Sequence, residues 1–107
     1  MFHRGDGTVG TAELLMRSRF SAFALADEAY LLRTWHPATR PASVDFDPRM
    51  RWTGLEILGK TGGGPFHTVG TVEFCAHYRV GGRADVMREN SSFTRMDGAW
   101  VSVGPEG

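Results

Sequence analysis

The stretch TAELLMRSRFSAFALA, residues 11–26, decides the fold of this chain. Thr11 is a residue type that caps helix N-termini, and Glu13 suits the positive end of the helix dipole. At 100° per residue the apolar side chains gather on one face, which predicts an amphipathic helix from Thr11 to about Ala26. Those side chains are Ala12, Leu15, Met16, Phe20, Ala22, Phe23 and Ala26. Arg19 falls in the middle of this face, where a charge must find a partner, reach water or serve a function.

The residues after this helix predict a second, shorter helix and then irregular chain. Asp27 can cap a helix over residues 28–35, and the proline that follows ends it. Two prolines within residues 37–42 predict a loop, and Asp47-Pro48 predicts one short turn. Residues 1–10 are rich in glycine and polar side chains and predict a flexible lead-in.

From Arg51 onward the pattern is typical of β-strands. Strands are predicted over residues 51–58, 68–80, 84–96 and 100–103, with a loop over 59–65 and hairpin turns at Gly81-Gly82 and Asp97-Gly98. Helices followed by an antiparallel meander predict an α+β fold. At 107 residues the chain has room for one core, so we predict a single domain over residues 11–107.

Polar residues on apolar faces are the candidates for a site. Strand 84–96 places Met87, Glu89, Ser91 and Phe93 on one face, and its apolar members indicate that this face points inward. Because an unpaired buried charge is very costly, we expect Arg19 to pair with Glu89, with Glu56 as a further partner.

Composition excludes several classes of function. Twelve Lys and Arg balance twelve Asp and Glu, so the chain lacks the basic excess of nucleic-acid binders. No apolar run has the ~20 residues of a membrane span. Cys75 is the single cysteine, which excludes an intrachain disulfide and predicts a reducing, cytoplasmic location.

Several short motifs, in order, resemble the YchJ family. They are LMRSRFSAFAL (15–25), TWHP (34–37), RWTGLEIL (51–58), TVEF (71–74), RENSSF (88–93) and DGAW (97–100). The resemblance implies a nuclear transport factor 2-like (NTF2-like) fold: a cone of curved antiparallel sheet, here of four to five strands, wrapped around a long N-terminal helix. It also implies a SEC-C zinc-binding segment before that helix. Residues 2–5 look like those that follow the last zinc cysteines of relatives, but this chain has no CxC or CC pair, so we predict no metal site and no cofactor.

Two other motifs are interpreted as coincidence. Residues 54–61 match G-x-x-x-x-G-K-T, but LEIL reads as a strand and the GGGP that follows cannot begin a helix. Cys75 and His77 share one strand face, yet zinc needs three or four ligands and no suitable spacing supplies them. Their separation of about 7 Å along a strand is also long for a nucleophile and its base.

Two functional interpretations stay open. The first is a non-enzymatic binding or accessory module, associated in its relatives with SEC-C zinc motifs. The second is an enzyme or small-ligand binder that uses an inward-facing pocket, with Glu89 as the base and Arg19 or His36 as its electrostatic partner. The predicted pocket residues are Arg19, Phe23, Tyr30, Trp35, Trp52, Glu56, Glu89 and Ser91. The resemblance also implies a homodimer through a sheet face that carries Glu73, His77, Arg79 and Trp100.

Overall fold

We describe residues 10–106 of a computed structural model with two helices followed by four strands. The elements are α1 (Ala12–Ala24), α2 (Glu28–Arg33), β1 (Met50–Gly62), β2 (Val69–Val80), β3 (Arg83–Met96) and β4 (Ala99–Pro105). The lead-in predicted over residues 1–10 lies, apart from Gly10, outside the described residues.

Both helices begin at the predicted caps. The Thr11 hydroxyl accepts from the Leu14 N–H at 3.2 Å, and the Asp27 carboxylate accepts from the Tyr30 N–H at 3.2 Å. Each cap satisfies a backbone donor that has no partner within the helix. The 13 residues of α1 make it about 20 Å long.

Helix α2 ends at Arg33, two residues earlier than predicted, because the chain there joins the sheet. The Ser102 N–H donates to the Thr34 carbonyl, and the His36 N–H donates to the Ser102 carbonyl, both at 2.8 Å. Trp35 thus forms a parallel bridge to β4. These bonds to a strand 67 residues further along the chain have no signature in local sequence.

The four strands form one antiparallel sheet in the order β1-β2-β3-β4, curved and unclosed. This is the predicted α+β meander, with four strands. The predicted end of the first strand at Leu58 is wrong, because β1 pairs with β2 as far as Gly62 opposite Gly70. Ladder hydrogen bonds outweigh the weak strand preference of the glycines here. Register shifts near Thr53 and Leu58 mark β-bulges, which bend a strand.

Helix α1 packs against one side of the sheet, which we call the inner face. The main core joins three α1 residues to residues of β2, β3 and β4: Ala12, Leu15, Met16, Val72, Phe74, Ala76, Phe93 and Trp100. A second cluster of Ala22, Tyr30 and Leu31 holds α2 against α1. The residues that alternate with the inner-face positions form the outer face. Trp100 was expected on the outer face, but it is 3% exposed in the core.

Gly70, at the start of β2, closely approaches Gly63, at the start of the loop that links β1 to β2. A Cβ at Gly70 would lie 2.5 Å from the Gly63 nitrogen and 2.9 Å from the Thr61 carbonyl oxygen. These are backbone atoms, so no side chain can move to make room. At Gly54 on β1, a Cβ would meet no atom within 4 Å.

Gly70→Ala is therefore expected to lower the free energy of unfolding by about 2 kcal/mol or more, the range of overpacked cores. Gly54→Ala is the matched control and should change it by less than about 0.5 kcal/mol. Urea unfolding followed by circular dichroism measures both. Equal stability of the two variants would contradict the close approach.

Candidate functional site

A cavity of about 320 Å³ lies between α1 and the inner face of the sheet. Helix α1 supplies one wall, β2 and β3 supply the opposite wall, and Trp35, Trp52 and the end of β4 complete it. Its lining residues are Met16, Arg19, Phe20, Phe23, Trp35, Trp52, Phe74, Ala76, Met87, Glu89, Ser91, Ser102, Gly104 and Pro105. The lining is mainly apolar, with Arg19 and Glu89 as its two charged side chains.

Six of the eight predicted pocket residues line this cavity: Arg19, Phe23, Trp35, Trp52, Glu89 and Ser91. Tyr30 is instead in the second core cluster, where its hydroxyl and that of Ser18 are 2.6 Å apart. Glu56 lies on the outer face, 3.0 Å from His77. His36 is outside the lining, and its Nδ1 accepts from the Ala38 N–H at 3.0 Å.

Arg19 is 5% exposed and joins α1 to the C-terminal end of α2. Its Nη1 donates to the Leu31 carbonyl at 2.8 Å and to the Thr34 hydroxyl at 2.6 Å. Its guanidinium carbon lies over the Trp35 ring, 4.9 Å from the centroid. Carbonyls at a helix C-terminus favour cations, so the end of α2 suits this charge.

Burial lowers the pKa of the Arg19 guanidinium to about 10, a shift that the Tyr30 hydroxyl opposes. The group is therefore still charged at neutral pH, although the charged form pays for its loss of water.

The predicted ion pair between Arg19 and Glu89 is wrong. No Asp or Glu oxygen of the described residues lies within 4.0 Å of an Arg19 nitrogen. Glu89 instead accepts from the Ser91 hydroxyl at 2.5 Å. Arg19 and Glu89 both line the cavity, as expected, but each has neutral hydrogen-bond partners. Nη1 of Arg19 donates to Leu31 and Thr34, and one carboxylate oxygen of Glu89 accepts from Ser91.

Aromatic rings form a continuous edge on one side of the cavity. Trp52 is at its centre, with ring centroids 5.9 Å from Phe20, 6.2 Å from Phe23 and 5.5 Å from Tyr78. Edge and tilted contacts of this kind hold rings in fixed orientations. Phe20 and Phe74 belong to this lining but were not predicted there, although the helical and strand periodicities place both on inward faces.

Neither of the motifs interpreted as coincidence is followed directly by a helix. Residues 54–61 are all within β1, and Cys75 is half-buried on the outer face. Within residues 10–106 no cluster of three or more His, Cys, Asp or Glu has metal-binding geometry. None of the described helices is long and apolar enough to cross a membrane.

The curved sheet, the N-terminal helix and the cavity between them define an NTF2-like α+β domain. A family model described as the middle NTF2-like domain of YchJ matches residues 11–104. The chain belongs to the YchJ family, as the sequence motifs predicted.

Relatives and solved structures agree with this assignment. The chain is 63% identical over 105 residues to a UPF0225 protein of Streptomyces avermitilis, covering 98% of this chain and 72% of that protein. It is 59% identical over 100 residues to a UPF0225 protein of Streptomyces coelicolor, covering 94% and 77%.

Two solved structures are similar to the described fold. A SEC-C motif containing protein from Rhodopseudomonas palustris has a TM-score of 0.79 at 32% identity, with 94% of this chain and 81% of that chain covered. A SEC-C motif containing protein from Psychrobacter arcticus has a TM-score of 0.77 at 26% identity, with 97% and 67% covered.

Thr34→Val is expected to lower the free energy of unfolding by about 1–2 kcal/mol, because it removes a hydrogen-bond acceptor from a buried charged donor. Thr39→Val is the matched control, since its exposed hydroxyl is 3.4 Å from the His36 carbonyl and should contribute little. Chemical denaturation of both variants measures the difference. If the two substitutions cost the same, the Arg19–Thr34 hydrogen bond does not stabilise the fold as argued.

Proposed function

We propose that this domain is a non-enzymatic binding module whose site is the cavity between α1 and the inner face. The observation that carries the proposal is the combination of an apolar, ring-lined cavity with a few fixed polar groups, which is the usual make-up of small-molecule sites. Its volume of about 320 Å³ is at the small end of such sites, which favours a ligand of one ring.

The positions of the polar groups support binding more than acid–base catalysis. Glu89 remains the candidate base, but neither predicted electrostatic partner is beside it: His36 lies outside the lining, and no Arg19 nitrogen is within 4.0 Å of the Glu89 carboxylate. Proton transfer also needs an acid or an electrophilic group at the reacting atom. Among the lining residues, the hydroxyl nearest to Glu89 in sequence is that of Ser91, which already donates to Glu89.

We also propose a neighbouring segment and a cellular location for the module. Both structural neighbours are named as SEC-C motif containing proteins, which supports an accessory role beside such a segment. A single cysteine supports a reducing, cytoplasmic location.

Ala76→Leu tests the binding site with 2-phenylethanol, a neutral one-ring probe. Ala76 lines the cavity at 2% exposure, so a larger side chain there occupies ligand space. We expect the native protein to bind the probe with a Kd of about 1 mM or tighter, a modest efficiency for nine non-hydrogen atoms. Amide chemical shifts should change on the inner face, and the variant should bind at least about tenfold more weakly.

The matched control is Cys75→Leu, on the opposite face of the same strand. It should keep the native affinity for 2-phenylethanol. Absence of saturable shifts on the inner face of the native protein, or equal binding by the two variants, would exclude this cavity as the site.

We also propose a homodimer through the outer face, as the resemblance implied. Helix α1 packs on the inner face, and the outer face of β2 and β3 carries the exposed apolar side chains Val69, at 62%, and Val86, at 48%. Charged pairs lie among them: Glu73 is 2.6 Å from Arg88, and His77 pairs with Glu56. The two valines lie at opposite ends of this face, since Val86 is opposite His77 on β2. A face of mixed apolar and charged side chains is compatible with a protein interface.

Val86→Glu should convert this dimer to a monomer, since it places an unpaired carboxylate in the interface. Ala29→Glu, on the exposed side of α2, is the control and should leave the dimer intact. Sedimentation velocity at micromolar concentration distinguishes the states. A native protein that sediments as a monomer would exclude the outer-face dimer.

A further inference from the structure

The geometry of Arg19 points to an organic monocarboxylate with a ring-bearing apolar body as the ligand of the cavity. This inference rests on the proposed binding function and adds the chemical class of the ligand. It depends on the donors that Arg19 leaves unused, on the absence of an acidic partner, and on the single negative charge elsewhere in the lining.

Arg19 has free donors that face the cavity. Of its three guanidinium nitrogens, only Nη1 donates to a described residue. No buried side-chain nitrogen or oxygen among residues 10–106 lacks a partner, so Nε and Nη2 must contact accessible space. Arg19 is 95% covered and lines the cavity, which is the accessible space that the described residues place beside it. Nε and Nη2 lie on one edge of the guanidinium, the edge that binds both oxygens of a carboxylate.

The guanidinium is also held in place before any ligand arrives. Leu31 and Thr34 hold Nη1, and the Trp35 ring covers one face of the group. Such a fixed plane loses little conformational freedom when it binds, which favours a planar anion over a flexible polar group.

Charge balance inside the fold supports an anionic ligand. No described carboxylate pairs with Arg19; among residues 10–106 its buried charge is met by the Leu31 carbonyl, the Thr34 hydroxyl and the Trp35 ring, all of them neutral. Burial lowers the pKa of Arg19 to about 10, which is the sign of an incompletely compensated cation. A bound carboxylate supplies the missing negative charge.

The rest of the lining limits the ligand to one carboxylate. Glu89 is the other charged lining residue and is itself negative, so a second carboxylate in the cavity would be repelled. The rings of Phe20, Phe23 and Trp52 surround the apolar part of the cavity and suit an aromatic body.

The test compares phenylacetate with phenylacetamide, a neutral analogue of nearly the same shape, by isothermal titration and amide chemical shifts. In the native protein phenylacetate should bind at least about tenfold more tightly, since hydrogen bonds between charged groups are the stronger ones. Arg19→Met should abolish this preference while it retains binding of phenylacetamide. Equal affinities for the two probes in the native protein would overturn the inference but leave the binding function standing; no binding of either probe would overturn both.

Glu89→Gln keeps the inference testable if Arg19→Met does not fold. Removal of a negative charge from the lining should tighten phenylacetate binding by about threefold and leave phenylacetamide unchanged. Glu73→Gln, on the outer face, is the matched control and should change neither affinity. A Glu89→Gln variant that binds phenylacetate no better than the native protein would contradict a carboxylate bound in this cavity.

Discussion

The hydrogen bonds that Arg19 donates join helix α1 to the C-terminal end of α2, where the chain meets strand β4. Nη1 reaches the Leu31 carbonyl and the Thr34 hydroxyl, and the Thr34 carbonyl then accepts from the Ser102 N–H of β4. A single side chain of α1 thereby fixes the position of α2, and through Thr34 it fixes the place where the helices meet the sheet edge. Trp35, which follows Thr34 in the chain, and Arg19 itself both line the cavity.

The same side chain is the one positive charge among the described residues that line the cavity. A buried guanidinium loses its hydration, and hydrogen bonds to neutral oxygens replace only part of it. Retaining a buried guanidinium with two unused nitrogens therefore costs stability that packing alone does not recover. Trade-offs of this kind between stability and function are known at binding sites, in line with the proposed function.

The sequence predicted most of the fold and the orientation of the polar residues, because both depend on local periodicity. The helical period placed Arg19 inward, and the strand alternation placed Glu89 and Ser91 on the inner face. It could not predict the partner of Arg19, because Leu31 and Thr34 offer backbone and hydroxyl oxygens that carry no charge pattern. The length of β1 was missed for a similar reason: its pairing with Gly70 depends on a distant strand, whereas the glycines locally favour a loop.

The separation of Arg19 from Glu89 has the larger consequence for function. Had the two formed an ion pair, the Glu89 carboxylate would have occupied hydrogen-bond donors of Arg19 and offset its positive charge. Instead the Ser91 hydroxyl donates to the Glu89 carboxylate, and Nη1 of Arg19 donates to the Leu31 carbonyl. In the proposed site this leaves the Nε–Nη2 edge of the guanidinium for a molecule in the cavity. Local neutral partners thus keep two opposite charges apart within one small site. The proposed binding of a ligand with distinct polar and apolar ends depends on this separation of the two charges.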